Sequence, residues 1–140
     1  MKIISRRARP STITLYNLVS TTAGISTYQR TVIERVYLGT GYDQRLSQRG
    51  VSTSDKAQLI IDTRDIAVTS DREFLDAKSW DALTDKAGHF TFHTANDFFV
   101  EGNVADTLPT ETKATMQKKY QVFSITSVAV HGDILQILGR

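Results

Sequence analysis

His89 and His93 stand four residues apart, and Asp97 follows at the same interval. On a helix, two histidines at that spacing share a face and could begin a zinc site. The residues between them are Phe-Thr-Phe, an alternation that belongs to a strand with Phe90 and Phe92 on its core side. On a strand the two imidazoles share the other, solvent face but lie about 13 Å apart, too far to hold one metal. His131 sits beside Asp133 and serines are plentiful, yet no Gly-x-Ser-x-Gly elbow positions a nucleophile. Gly39-Thr-Gly-Tyr42 lacks the Gly-Lys-Ser/Thr ending of a phosphate loop, and no helix follows it to make a dinucleotide site. The pairs Asp62/Asp65 and Asp81/Asp85 read as solvated loop charges. The absence of cysteine excludes disulfides, zinc ribbons, iron–sulfur clusters and thiol nucleophiles. No catalytic constellation is marked, so the expectation is a non-enzymatic protein with no metal and no cofactor.

The cations are unevenly placed. Lys2, Arg6, Arg7 and Arg9 give +4 in the first ten residues, whereas the rest of the chain carries a net −2. A domain dedicated to nucleic acid has a basic body; this one has a basic arm on a near-neutral body. Such an arm can touch phosphate non-specifically, fray into solvent, or dock on a neighbouring subunit. No run of about 18 apolar residues exists, so no membrane partner is expected. The opening Met-Lys-Ile-Ile-Ser has too short an apolar part for a secretory signal.

The elements that would position any site are mostly strands. At 140 residues the chain is expected to be one domain, a β-barrel over 11–140 with the basic arm 1–10 before it. Residues 11–19 alternate, with Ile13, Leu15 and Asn17 on one face, and predict a first strand. A turn or loop is expected at 20–26. Residues 27–38 are rich in β-branched and aromatic side chains and predict one long strand, or two bent near Glu34 and Arg35. The polar stretch 39–54 reads as an inserted loop of unusual length. A strand is expected at 55–62, a break at Thr63, Arg64 and Asp65, and then either short helical turns capped by Ser79 or an irregular loop tucking Trp80 onto the body. Further strands are expected at 89–93 and 97–101, and a helix with a weak apolar face (Ala114, Met116, Tyr120) at 110–120, exposed or at an interface. Lys118 and Lys119 suit that helix's C-terminal dipole. The chain ends in a hairpin: Phe123, Ile125, Val128 and Val130 lead to a Gly132-Asp133 turn, and Ile134, Leu135, Ile137 and Leu138 return. Phe90, Phe92, Phe123, Ile125 and Val128 are the predicted core. Two strands alone are marginal in water, so the hairpin must join the others. The fold class predicted is mainly β, a small β-barrel or sandwich with a long loop and one short helix.

Three stretches carry a resemblance. They are Ile13-Thr-Leu-Tyr-Asn17 followed by Tyr28-Gln-Arg-Thr-Val-Ile33, then Asp97-Phe-Phe-Val-Glu-Gly102, then Lys118-Lys-Tyr-Gln-Val-Phe-Ser-Ile-Thr-Ser-Val128 with its closing hairpin. In this order they resemble the small neck proteins of tailed bacteriophages, the minor capsid, head–tail connector or head-closure (stopper) family. The resemblance implies a virion subunit assembled in the host cytoplasm, a ring of six or twelve copies. It would lie between a portal or adaptor protein above and a tail-terminator or tail tube protein below, closing the channel after DNA packaging. It implies assembly contacts from three segments: Lys2, Arg6, Arg7 and Arg9 in the arm; Tyr42, Arg45 and Arg49 in the loop; Lys113, Lys118 and Lys119 in the helix. Non-specific contact with channel DNA is a secondary role. A tail-completion or tail-terminator ring is the alternative within this class. A monomeric β-barrel that binds nucleic acid is the alternative from another.

Overall fold

The computed structural model describes residues 10–40, 57–69, 71–94, 96–107 and 113–140. Alternating apolar side chains build long strands here. β1 (Pro10–Thr22) and β2 (Ile25–Thr40) form a hairpin that dominates the molecule. β3 (Ala57–Asp62) returns along the far end of β2, and the two-residue β4 (Ala67–Val68) pairs beside it at Ile33 and Glu34. β5 (Glu73–Phe74) and β6 (His89–Phe90) form a small parallel pair on either side of the helix α1 (Ala77–Asp81). β7 (Phe98–Glu101), helix α2 (Lys113–Lys119), β8 (Val122–His131) and β9 (Ile134–Gly139) complete the chain.

Hydrogen bonds run β1-β7-β8-β9-β3-β2 and then back from β2 to β1. Six antiparallel strands therefore close on themselves into a barrel, although the short β7 pairs with only part of β1 and of β8. One apolar cluster draws on all six: Ile13 and Leu15, Ile33 and Val36, Leu59 and Ile61, Phe99, Phe123 and Ile125, Leu135 and Ile137. Residues from every wall can meet only in the interior, so this cluster is the barrel core, and Phe90 and Phe92 plug it. Of the predicted core, Phe90, Phe92, Phe123 and Ile125 are buried and Val128 packs half-buried against them.

β7 is buried on both faces. Phe99 points inward, whereas Phe98 and Val100 join Tyr16 and Met116 in a second cluster outside the wall. Helix α2 and the strap 102–107 cover that cluster. Its weak apolar stripe reduces to Met116, fully buried, with Tyr120 half-buried and Ala114 exposed.

Three bulges explain spacings that break the alternation. Val36 faces Ser11 and Glu34 faces Thr12, leaving Arg35 unpaired with φ 65°. Ile33 and Val36 can thus both point inward although three residues apart. Register also shifts between Ile125 and Ser127, which brings Val128 to the side of Ile125. A third shift lies between Leu18 and Ser20.

Some expectations are corrected. Residues 20–22 and 25–26 are strand, and the turn is only Ala23-Gly24, because Ser20, Thr21 and Thr22 pair across the ribbon with Thr27, Ser26 and Ile25. Both turn residues have positive φ, 53° and 78°, the pattern of a type I′ hairpin. Alanine is strained there, so Ala23→Asn should stabilise the chain by roughly 0.5–1 kcal/mol, read as a raised unfolding midpoint. Asp76, not Ser79, caps α1; its carboxylate accepts from Ser79 N at 3.3 Å and Ser79 Oγ at 2.7 Å. The strand at 89–93 stops at Phe90, because Thr91 is also buried and bonds to β1 rather than to a partner strand.

Candidate functional site

The described residues offer three places where chemistry or recognition could reside. The first is a buried polar knot at the end of β7. Asn17, inward-facing as its place in the alternation predicts, donates to Thr91 O at 2.6 Å and to Asp97 Oδ2 at 2.7 Å. Asp97 also accepts from Leu18 N at 3.0 Å and His93 N at 2.9 Å. Burial pushes its carboxyl up to about 6, against the opposing pull of those three donors and of nearby His93. Both oxygens are occupied, so Asp97 pins the 91–97 segment to β1. His93 Nε2 lies 3.3 Å from Asp81 Oδ2 at the rim of a cleft of about 210 Å³ that Trp80 and Lys86 also line. Lys86 stands over the Trp80 ring at 5.6 Å and donates to Leu83 O. Among the described residues no His, Cys, Asp or Glu set could hold a metal. A second cleft, about 470 Å³, lies between Val68, Phe74 and Phe90. Its Arg72 is spent on Ala87 O, Arg30 O and Thr31 Oγ1.

The second place is the α2 face, where three predicted contact residues fall. Lys113 turns inward, donating to Ser124 Oγ at 2.9 Å and standing 5.2 Å from the Phe98 ring centre. Burial lowers its ammonium from the ordinary value. Lys119 donates to Asp106 Oδ2 at 2.8 Å, and Tyr120 donates to Asp106 Oδ1 at 2.8 Å, which together hold that carboxyl below its usual range. Tyr16 donates to Asp106 O and is pushed by burial up to about 12. Arg30 reaches Val104 O and Asn103 Oδ1. These bonds lash the strap 102–107 and α2 to the barrel, so Lys113 and Lys119 build the subunit. Lys118 is exposed. Lys2, Arg6, Arg7, Arg9, Tyr42, Arg45 and Arg49 lie outside the described residues.

The third place is the exposed surface of the two hairpins β1–β2 and β8–β9. Ile25, Val130 and Leu138 are exposed by 56, 55 and 40%, and they are the large apolar side chains left in solvent among the described residues. Ile25 flanks the β1–β2 turn; Val130 and Leu138 lie on β8 and β9. Sequence reasoning placed Ile25 in a loop and counted Val130 and Leu138 with the hairpin's apolar pattern. Periodicity cannot distinguish an apolar residue facing a core from one facing a partner.

The barrel, its covered outer face and its exposed apolar residues can be set beside known proteins. No curated protein and no solved structure matches this chain. A family match extends from residue 9 to residue 133, from the start of β1 to the final turn. Since that span takes in nearly every element described above, the chain belongs to the Family of unknown function (DUF6751).

Proposed function

We propose that this protein is a non-enzymatic structural subunit of a tailed-phage neck, a homo-oligomeric ring that closes the portal channel after DNA packaging and offers the tail its docking surface. The observation that carries the assembly part is the exposure of Ile25 beside the β1–β2 turn and of Val130 and Leu138 on the wall strands β8 and β9 of an otherwise well-filled barrel. Large apolar side chains left in solvent suit a subunit whose neighbours complete it. The phage part rests on the order of the three stretches that resemble neck proteins. A tail-completion ring would use the same subunit at a lower position.

A nucleic-acid track needs a continuous row of available cations. Arg30, Arg35, Arg64, Arg72, Lys86, Lys113 and Lys119 are each bonded within the chain, which favours protein contacts over phosphate. The arm Lys2, Arg6, Arg7 and Arg9 then docks on an acidic neighbouring subunit, with channel DNA as a secondary contact. Deleting residues 2–9 should leave thermal unfolding unchanged, since the β1 contribution to the barrel core comes from Ile13 and Leu15. In the phage it should leave unattached tails beside DNA-filled or leaking heads. Normal infectious particles from that deletion would overturn the arm's role.

A further inference from the structure

β7 is the short stave of the barrel. It pairs with β1 only over 13–16 and with β8 only over 122–124. Asp97 ends both pairings at once: its carboxylate takes Leu18 N at 3.0 Å and its carbonyl takes Ile125 N at 3.1 Å. Beyond that point β1 continues to Thr22 and β8 to His131, and among the described residues each is paired on one side alone, with β2 and β9 respectively. Each ribbon begins at a bulge, which bends a strand away from its sheet. Among the described residues two strand edges are left without a partner strand, 19–22 on β1 and 127–130 on β8, and the Asp97 turn stands between them.

Exposed edges in monomeric proteins are blunted by lysine, proline or a cover. These edges read Val-Ser-Thr-Thr and Ser-Val-Ala-Val, with no charge and no proline. Ile25 lies across from Thr22 at one, and Val130 and Leu138 lie on the other hairpin. We propose that the β1 edge 19–22 of one copy pairs with the β8 edge 127–130 of a second copy, making one sheet continuous across the contact.

The charge balance selects that occupant. Neither edge offers a charge to attract an acidic or basic strand, and a neutral edge meeting a neutral edge buries no unpaired charge. The two edges differ, so the contact is heterologous: every copy donates one and receives the other. Such a contact propagates and, with suitable rotation, closes a ring. The inference therefore deepens the ring reading and rests on it for closure, though not for the pairing itself.

The test uses the full chain, whose lack of cysteine permits clean cross-linking. Thr21→Cys and Ser127→Cys are both at exposed positions. Each single variant is purified, and the two are mixed and treated with a bismaleimide reaching about 8 Å, the span of neighbouring cross-strand positions. The expected result is a linked dimer from the mixture and none from either variant alone. A chain carrying both cysteines should give a ladder. Val130→Lys, on a side chain already in solvent, should weaken association at least tenfold by sedimentation while leaving the unfolding midpoint unchanged. Dimers from a single variant, or no mixed product, overturn the edge pairing. If rings are seen by microscopy without a mixed product, the edge pairing fails and the ring stands. If the mixed product forms but grows only into open strings, the edge pairing stands and the ring fails.

Discussion

Replacing Phe123 with alanine should lower the unfolding free energy by roughly 3–5 kcal/mol, one of the largest losses available to a single truncation in this barrel. The ring is 1% exposed and packs at a tilt against Phe99 with centroids 5.4 Å apart. It sits where β7, β8 and β9 converge, and Gly139 closes the space above it: a side-chain carbon at Gly139 would lie 3.0 Å from Phe123 Cβ and 3.1 Å from Phe99 Cε1. So tight a contact leaves little room for neighbours to collapse into the cavity, which places the loss in the upper part of the range. Chemical denaturation of the variant measures it. A loss under about 1 kcal/mol would mean that Phe123 is not interior and that the register of β8 is wrong.

Asp97 gives the second large effect, and its sign depends on pH. Burial raises its folded-state carboxyl to about 6, above the ordinary value of 3.8. The folded chain thus binds the proton more tightly than the unfolded chain. The stability that this contributes is complete below about pH 4 and is lost as pH rises through about 6, a difference of about 3 kcal/mol. Asp97→Asn removes the titration, so the fall in stability between pH 4 and 7 should flatten relative to the wild type. Asp97→Ala flattens it too, and in addition strands the donors Leu18 N, His93 N and Asn17 Nδ2, costing roughly 3 kcal/mol even where the wild type is weakest. Thermal unfolding at half-unit pH steps reads both effects. Parallel pH profiles for wild type and Asp97→Asn would contradict this role.

The strands of this fold were legible because residues 11–17 alternate, residues 27–38 are rich in β-branched and aromatic side chains, and apolar runs flank the Gly132 turn. The mainly β class followed from them, and the Gly132 turn followed from its local chemistry. The bulges were harder to see. Ile33 with Val36, and Ile125 with Val128, are spaced by three, and only a register against partners Ser11 and Gly139 shows why both members face inward. The covering of β7 did leave a trace: Phe98, Phe99 and Val100 in succession can all be buried only if both faces of the strand are covered. Asp97 could not be assigned its role, since that role depends on Asn17 and Leu18, which are distant in sequence and are brought to it by barrel closure. Lys113 and Lys119 read as surface charges until Ser124 and Asp106 were placed beside them. The exposed apolar residues looked like any others, because a strand pattern records faces and not what meets them.

The central claim is that this barrel is a ring subunit. Negative-stain microscopy of the purified full chain, alone and mixed with portal and tail-terminator proteins of the same phage, tests it most directly. The account predicts closed rings of uniform diameter, formed alone at high concentration or on the portal, with the tail protein joining only where the ring is present. Dispersed monomers under both conditions, with portal and tail protein associating equally well without this chain, would contradict it.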